Sequence, residues 1–182
     1  QETMSSIEFT LTPIKSAVLA GHESILAVLI RAIAPSAPPG AAERRPLNLA
    51  LVIDRSGSMS GRPLAEAKRC ASFIVDNLAP RDRASILAYD SNVDVLLPSR
   101  PVVDRDAFHA AIAGVHEGGT TALYDGWRLG ADQALAAMED NAISRVLVLS
   151  DGNANRGLTD IEAITQRCSR VLESGVATST YG

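Results

Sequence analysis

Asp54, Ser56 and Ser58 stand at alternate positions in Leu49-Ala50-Leu51-Val52-Ile53-Asp54-Arg55-Ser56-Gly57-Ser58-Met59-Ser60-Gly61. One carboxylate and two hydroxyls on a single small turn offer only oxygen donors, which suit a hard divalent cation such as Mg2+. A second carboxylate, Asp151, follows another apolar run in Val146-Leu147-Val148-Leu149-Ser150-Asp151-Gly152. Between them lies Gly118-Gly119-Thr120-Thr121, whose glycines let backbone approach an ion and whose threonines add a hydroxyl. Three loops with two carboxylates and three hydroxyls therefore make one candidate site. The plain alternative is that the aspartates are caps and the serines turn formers. That leaves unexplained why two separate apolar strands both end in a carboxylate.

These residues need a particular scaffold. An uninterrupted apolar run is buried on both faces, the mark of a central strand in a sheet covered by helices. Ligands of such sheets bind beyond the carboxyl ends of the strands. After Leu47 strands and helices alternate. Pro63 opens a helix with its stripe at Leu64, Ala67, Ala71, Ile74, Val75 and Leu78, stopped by Pro80. Ala84 to Tyr89 is a strand, and Val93 to Leu97 returns after a short turn as an antiparallel edge strand. Asp104 caps a helix carrying Phe108, Ile112 and Val115. Ala122 to Met138 is a helix, Thr159 caps another running to about Glu173, and Val176 to Tyr181 is a last strand. The fold class is α/β, a doubly wound and mostly parallel sheet with one antiparallel edge.

Residues 1–34 differ. Ile7, Phe9 and Leu11 alternate with Glu8, Thr10 and Thr12 as in a half-buried strand, Ala20-Gly21-His22-Glu23 is a turn, and Ser24 to Ala34 is a second strand. The proline-rich 35–46 segment reads as a linker, leaving 47–182 as the α/β domain. At 182 residues and 46% hydrophobic content the chain can build one good core. A net charge of −4 argues against a nucleic-acid partner. No segment here is read as inserting in a membrane: Ile25 to Ala34 is too short to span and carries Arg31. Cys70 and Cys168 are read as inert small core residues.

Asp-x-Ser-x-Ser at 54–58, Gly-Gly-Thr near 120 and Ser-Asp-Gly at 150–152 resemble the von Willebrand factor type A domain family and its metal-ion-dependent adhesion site. The resemblance runs over residues 47–182, and three dispersed motifs agree in order and spacing. It implies a Rossmann-like fold holding Mg2+, with Mn2+ or Ca2+ as alternatives. Carried over, Ser56 and Ser58 coordinate through their hydroxyls, Thr121 directly or through water, and Asp54 and Asp151 through metal-bound waters. Thr120 follows the glycines as the family motif does, but the helix face carrying Leu123 and Trp127 favours Thr121. A partner protein's Asp or Glu would complete the shell, because neutral hydroxyl ligands leave the cation under-neutralised.

The Asn153-Ala154-Asn155-Arg156-Gly157 loop resembles that of bacterial and inter-alpha-trypsin-inhibitor-like members. In these, strands ahead of the domain belong to a β-sandwich, which would place the 1–34 hairpin. The family also has a helix beyond the last strand here, so the chain is read as C-terminally truncated. An alanine-rich composition leans towards a soluble bacterial protein, in or outside the cytoplasm.

The competing function is a Mg2+-dependent phosphoryl-transfer enzyme with Asp54 as nucleophile. It is disfavoured: Ser56 stands where a second carboxylate would be wanted, and no Gly-x-x-x-x-Gly-Lys loop exists. Asp90 and Asp94 read as solubilising guards of an edge strand, Asp125 as a charge at a helix start, and His116 as a bystander.

Overall fold

A computed structural model describes residues 7–13, 17, 21, 26–33, 44–151 and 160–182. The chain divides into two compact units, Gln1–Glu43 and Arg44–Gly182.

In the first unit β1 (Glu8–Pro13) pairs antiparallel with β2 (Val28–Ile33), Phe9 opposite Ala32 and Leu11 opposite Ile30. The alternation predicts one buried face. Instead every described residue of both strands is exposed; a lone two-stranded hairpin buries little by itself. Of the turn at 20–23 only Gly21 falls among the described residues, at φ +80°, and residues 24, 25 and 34 of the second strand lie outside them.

The second unit holds a five-stranded sheet in the order β5-β4-β3-β6-β7. These strands are β3 (Leu47–Asp54), β4 (Arg83–Tyr89), β5 (Val93–Pro101), β6 (Ile143–Leu149) and β7 (Val176–Tyr181). All neighbours are parallel except β4 and β5. The helices are α1 (Arg62–Asp76), α2 (Arg105–Ala113), α3 (Leu123–Ala136) and α4 (Ile161–Glu173). Alternate side chains of β3 feed two cores. Leu49, Leu51 and Ile53 pack with Leu64, Ala71 and Val75 of α1 and Phe108 and Ile112 of α2. Ala50 and Val52 pack with Tyr124, Trp127 and Ala131 of α3, and α4 adds Ile164, Cys168 and Val171 at the margin. That is why β3 shows no polar alternation: both of its faces are inside, each large aliphatic side chain contributing about 1.5–3 kcal/mol.

Several details differ from expectation. The cap of α4 is Asp160, whose side chain accepts from Ala163 N, and Thr159 lies outside the described residues, as do 152–158. Helix α3 is shorter at both ends than Ala122 to Met138. Cys70 is exposed, so it is not a core residue, and Cys168 is half-buried at the margin of the second core.

The α/β unit starts before β3, at residues expected to be linker. Arg45 donates to the carbonyls of Asn141 and Ala142, and Arg44 pairs with Asp82. Asp82 is fully buried and also accepts from Leu47 N (2.9 Å) and Ala79 N (2.6 Å). Burial works to raise its pKa, but the Arg44 guanidinium and the two amides outweigh it and hold the carboxyl at about 2. A depressed carboxyl stabilises the fold above its ordinary value of 3.8, and that stability is lost as pH falls towards 2. Relative to Asp82→Asn, the wild type is expected to lose about 1–2 kcal/mol between pH 5 and pH 2, allowing for screening of the half-exposed Arg44. Urea unfolding of both proteins across that range measures it.

Candidate metal centre

The carboxyl ends of β3, β4 and β6 lie side by side, with Asp54 opposite Tyr89 and Ile53 opposite Leu149. Asp54 is fully buried. Its Oδ1 accepts from Ser56 N (2.9 Å), and its Oδ2 accepts from the Tyr89 hydroxyl (3.1 Å) and Ser150 Oγ (2.6 Å). Burial, with the Asp54 and Asp151 charges adding to it, pushes the Tyr89 phenol far above its ordinary value. Tyr89 therefore stays protonated and donates to Asp54.

Beyond Asp54 the chain makes one 3-10 turn, Gly57–Met59, anchored by the buried Met59 and by Met59 N donating to Ser56 O (2.9 Å). The turn brings Ser56 Oγ to 3.2 Å from Ser58 Oγ, Ser56 buried and Ser58 exposed. The 116–121 loop is stitched to this turn: Gly118 N donates to Arg55 O (2.8 Å) and Gly57 N to Gly119 O (2.9 Å), and the Ser60 hydroxyl donates to Glu117. Thr120 is exposed, with its hydroxyl 2.9 Å from Ser91 Oγ. Thr121 is 1% exposed and sits one residue before the cap of α3. Asp151 is exposed, two residues past the end of β6. The structure thus gathers Asp54, Ser56 and Ser58 on one turn, joins the threonine loop to it directly, and links it to the Ser150-Asp151 corner through Ser150.

This donor set suits a hard cation. Adjacent oxygens of an octahedral Mg2+ shell stand about 3 Å apart, given metal–oxygen distances near 2.0–2.1 Å, and the two serine hydroxyls are already close to that spacing. Among the described residues no three His, Cys, Asp or Glu side chains cluster to hold a metal.

Asp90 is misread by sequence alone. It is 8% exposed, not solvated, and accepts from Asn92 N (2.8 Å) and Gly119 N (3.3 Å). Its Oδ2 lies 3.4 Å from Arg55 Nε, while Arg55 also pairs with Asp94. Burial opposes it, yet the two amides and Arg55 bring its pKa below the usual value. Tyr89, Ser91 and Ser150 were also missed as contributors. The available signal was that a third strand, β4, is also followed at once by an Asp and a Ser, Asp90-Ser91. Asp125 lies in the first turn of α3 and His116 is exposed.

Comparison with known proteins agrees with this fold. The model of the von Willebrand factor type A domain matches residues 48–182. An uncharacterised protein of Synechocystis is 35% identical over 138 residues, 76% of this chain and 30% of that protein. Mouse inter-alpha-trypsin inhibitor heavy chain H3 is 28% identical over 136 residues, 70% of this chain and 15% of that protein. The chain thus spans less than a third of either relative. A von Willebrand factor type A structure from Catenulispora acidiphila superposes with a TM-score of 0.61 at 19% identity, covering 97% of this chain and 40% of that one. Mussel proximal thread matrix protein 1, solved with zinc in its metal-ion-dependent adhesion site motif, gives 0.62 at 13% identity over 75% of this chain and 38% of its own. At these identities the structural likeness is one of fold.

The chain belongs to the von Willebrand factor type A domain family. Domains of this family are divalent-metal-binding, protein-interaction modules and generally not enzymes; neither relative cited is named as an enzyme.

Proposed function

We propose that this domain binds an Asp or Glu side chain of a partner protein through a divalent cation, Mg2+ foremost, held by Asp54, Ser56, Ser58, Thr121 and Asp151. The observation that carries the reading is the 3.2 Å approach of the Ser56 and Ser58 hydroxyls on a turn headed by buried Asp54. Thr121 is preferred to Thr120 because it is buried at the mouth of α3, while Thr120 is exposed. The cation would supply an electrophilic position for an incoming carboxylate, strengthened because hydroxyl ligands do not neutralise its charge. Asp54, with both oxygens engaged by protein donors, is suited to act on the ion through water. The same engagement and its burial speak against Asp54 as a phosphoryl-accepting nucleophile. The net charge of −4 is unfavourable for nucleic acid, and among the described residues no helix is long and apolar enough to cross a membrane.

Titration calorimetry with Mg2+ and Mn2+ tests this, on the wild type and on a Ser56→Ala, Asp151→Ala double variant, with and without excess glutamate. Wild-type binding strengthened by glutamate and absent from the variant is the expected result. Absence of binding by the wild type, even with glutamate present, overturns the reading.

A further inference from the structure

The family motif accounts for the ligands but not for what holds the threonine loop. Residues 116–121 form no helix or strand, and ordering such a segment costs about 1–2 kcal/mol per residue. Something rigid must carry that cost. The 55–60 turn holds one side of the loop, through Gly118 N on Arg55 O, Gly57 N on Gly119 O and Ser60 on Glu117; the other side meets one corner, Asp90-Ser91, where β4 turns into β5. Asp90 Oδ2 accepts from Gly119 N (3.3 Å), Ser91 Oγ accepts from Thr120 N (3.0 Å), and the Asp90 carbonyl accepts from Ala122 N (2.8 Å). Three amides around Thr121 are thereby tied to the end of a fully buried strand.

The glycine pair has the same explanation. A Cβ on Gly118 would fall 1.8 Å from Asp90 Oδ2, and one on Gly119 would fall 2.5 Å from Ser91 Oγ. A side chain at Gly118 would collide with the whole Asp90 carboxyl, and one at Gly119 would turn the Ser91 hydroxyl away from Thr120 N. The glycines permit this close contact with Asp90 and Ser91.

We propose that Asp90, assisted by Ser91, is a positioning residue of the metal centre: it holds the 118–120 backbone, and through it Thr121, where the cation needs a hydroxyl. The proposal rests on the metal-binding reading above. Charge-assisted hydrogen bonds to a buried carboxylate are the stronger kind, and removing the group that orients a metal ligand commonly weakens binding 10- to 100-fold.

The test uses the wild type with Asp90→Asn, Ser91→Ala and Asp94→Asn. Asp90→Asn is nearly isosteric and replaces an acceptor facing Gly119 N. Asp94→Asn removes the other carboxylate on Arg55 and, among the described contacts, touches no loop amide. Amide hydrogen exchange is followed in EDTA, and Mg2+ and Mn2+ affinity by calorimetry. Asp90→Asn is expected to speed exchange of Gly119 about tenfold and to weaken metal binding by about the same factor. Asp94→Asn is expected to leave affinity within about twofold. Unchanged Gly119 exchange or unchanged affinity in Asp90→Asn overturns the proposal. So does equal weakening by Asp94→Asn, which would make the effect one of charge alone. If Asp90→Asn does not fold, Ser91→Ala carries the test through Thr120 exchange and affinity. If the wild type binds neither metal while exchange still rises only in the corner variants, the metal reading has failed and the loop-holding role stands.

Discussion

Asp54→Ala is expected to destabilise the α/β unit by about 3 kcal/mol and to abolish divalent-cation binding. Three protein donors meet this carboxyl: Ser56 N, the Tyr89 hydroxyl and Ser150 Oγ. Each loses a partner in the variant, at about 1–3 kcal/mol for a donor left buried. The cost of burying the carboxyl is returned, which keeps the net below the simple sum. Against a total stability of about 5–15 kcal/mol this is a large fraction. Asp54→Asn separates the two effects. Its amide oxygen still accepts from Ser56 N, and its NH2 donates to Tyr89, whose hydroxyl accepts as well as donates. The expected loss of stability is then about 1 kcal/mol, while metal binding still disappears. Urea unfolding in EDTA reads the stability and calorimetry reads the metal. Full metal affinity in Asp54→Asn would remove this carboxylate from the centre.

The second large effect comes from a residue with no side chain. Gly126 lies in the second turn of α3, where a Cβ would meet Cγ and Cδ1 of the Tyr89 ring at 2.6 Å. Tyr89 has no room to retreat: it is fully buried, and its hydroxyl is held by Asp54. Alanine would gain up to about 1 kcal/mol of helix propensity over glycine. Overpacking costs about 1–3 kcal/mol and wins here, because the clash is with a pinned ring. Gly126→Val is expected to lose about 3 kcal/mol, combining overpacking with a β-branched side chain in a helix. The displaced Tyr89 also releases Asp54, so metal affinity falls about tenfold in the fraction that folds. A Gly126→Val protein as stable as the wild type, with unchanged affinity, would show that α3 is not pressed against β4 as described.

The expected outcomes share one feature: the proposed ligands are easy to name and their supports are not. Asp54, Ser56, Ser58, Thr121 and Asp151 stand out as candidates because they follow apolar runs or a glycine pair at close spacing along the chain. The central strand β3 was legible for a related reason, since burial on both faces removes every polar residue from Leu49 to Ile53. Cys70 was misplaced because a small apolar residue in a helix looks like core until the helix is docked. The exposure of both faces of the β1–β2 hairpin was equally hidden, because alternation tells which residues share a face and not what covers it.

Sequence by itself determined the order of strands and helices, the antiparallel edge, and which oxygen-bearing residues are proposed for a cation, because these follow from periodicity and spacing within short windows. Tertiary structure alone decided that Tyr89 and Ser150 hold Asp54, that Asp90 and Ser91 hold the threonine loop, and that Arg44 locks onto Asp82. Those pairs lie 29 to 96 residues apart in the chain. No local pattern encodes them. They exist because parallel pairing brings the carboxyl ends of β3, β4 and β6 together at one edge and the starts of β3 and β4 together at the other, and a buried carboxyl must then find its donors among whatever that edge supplies.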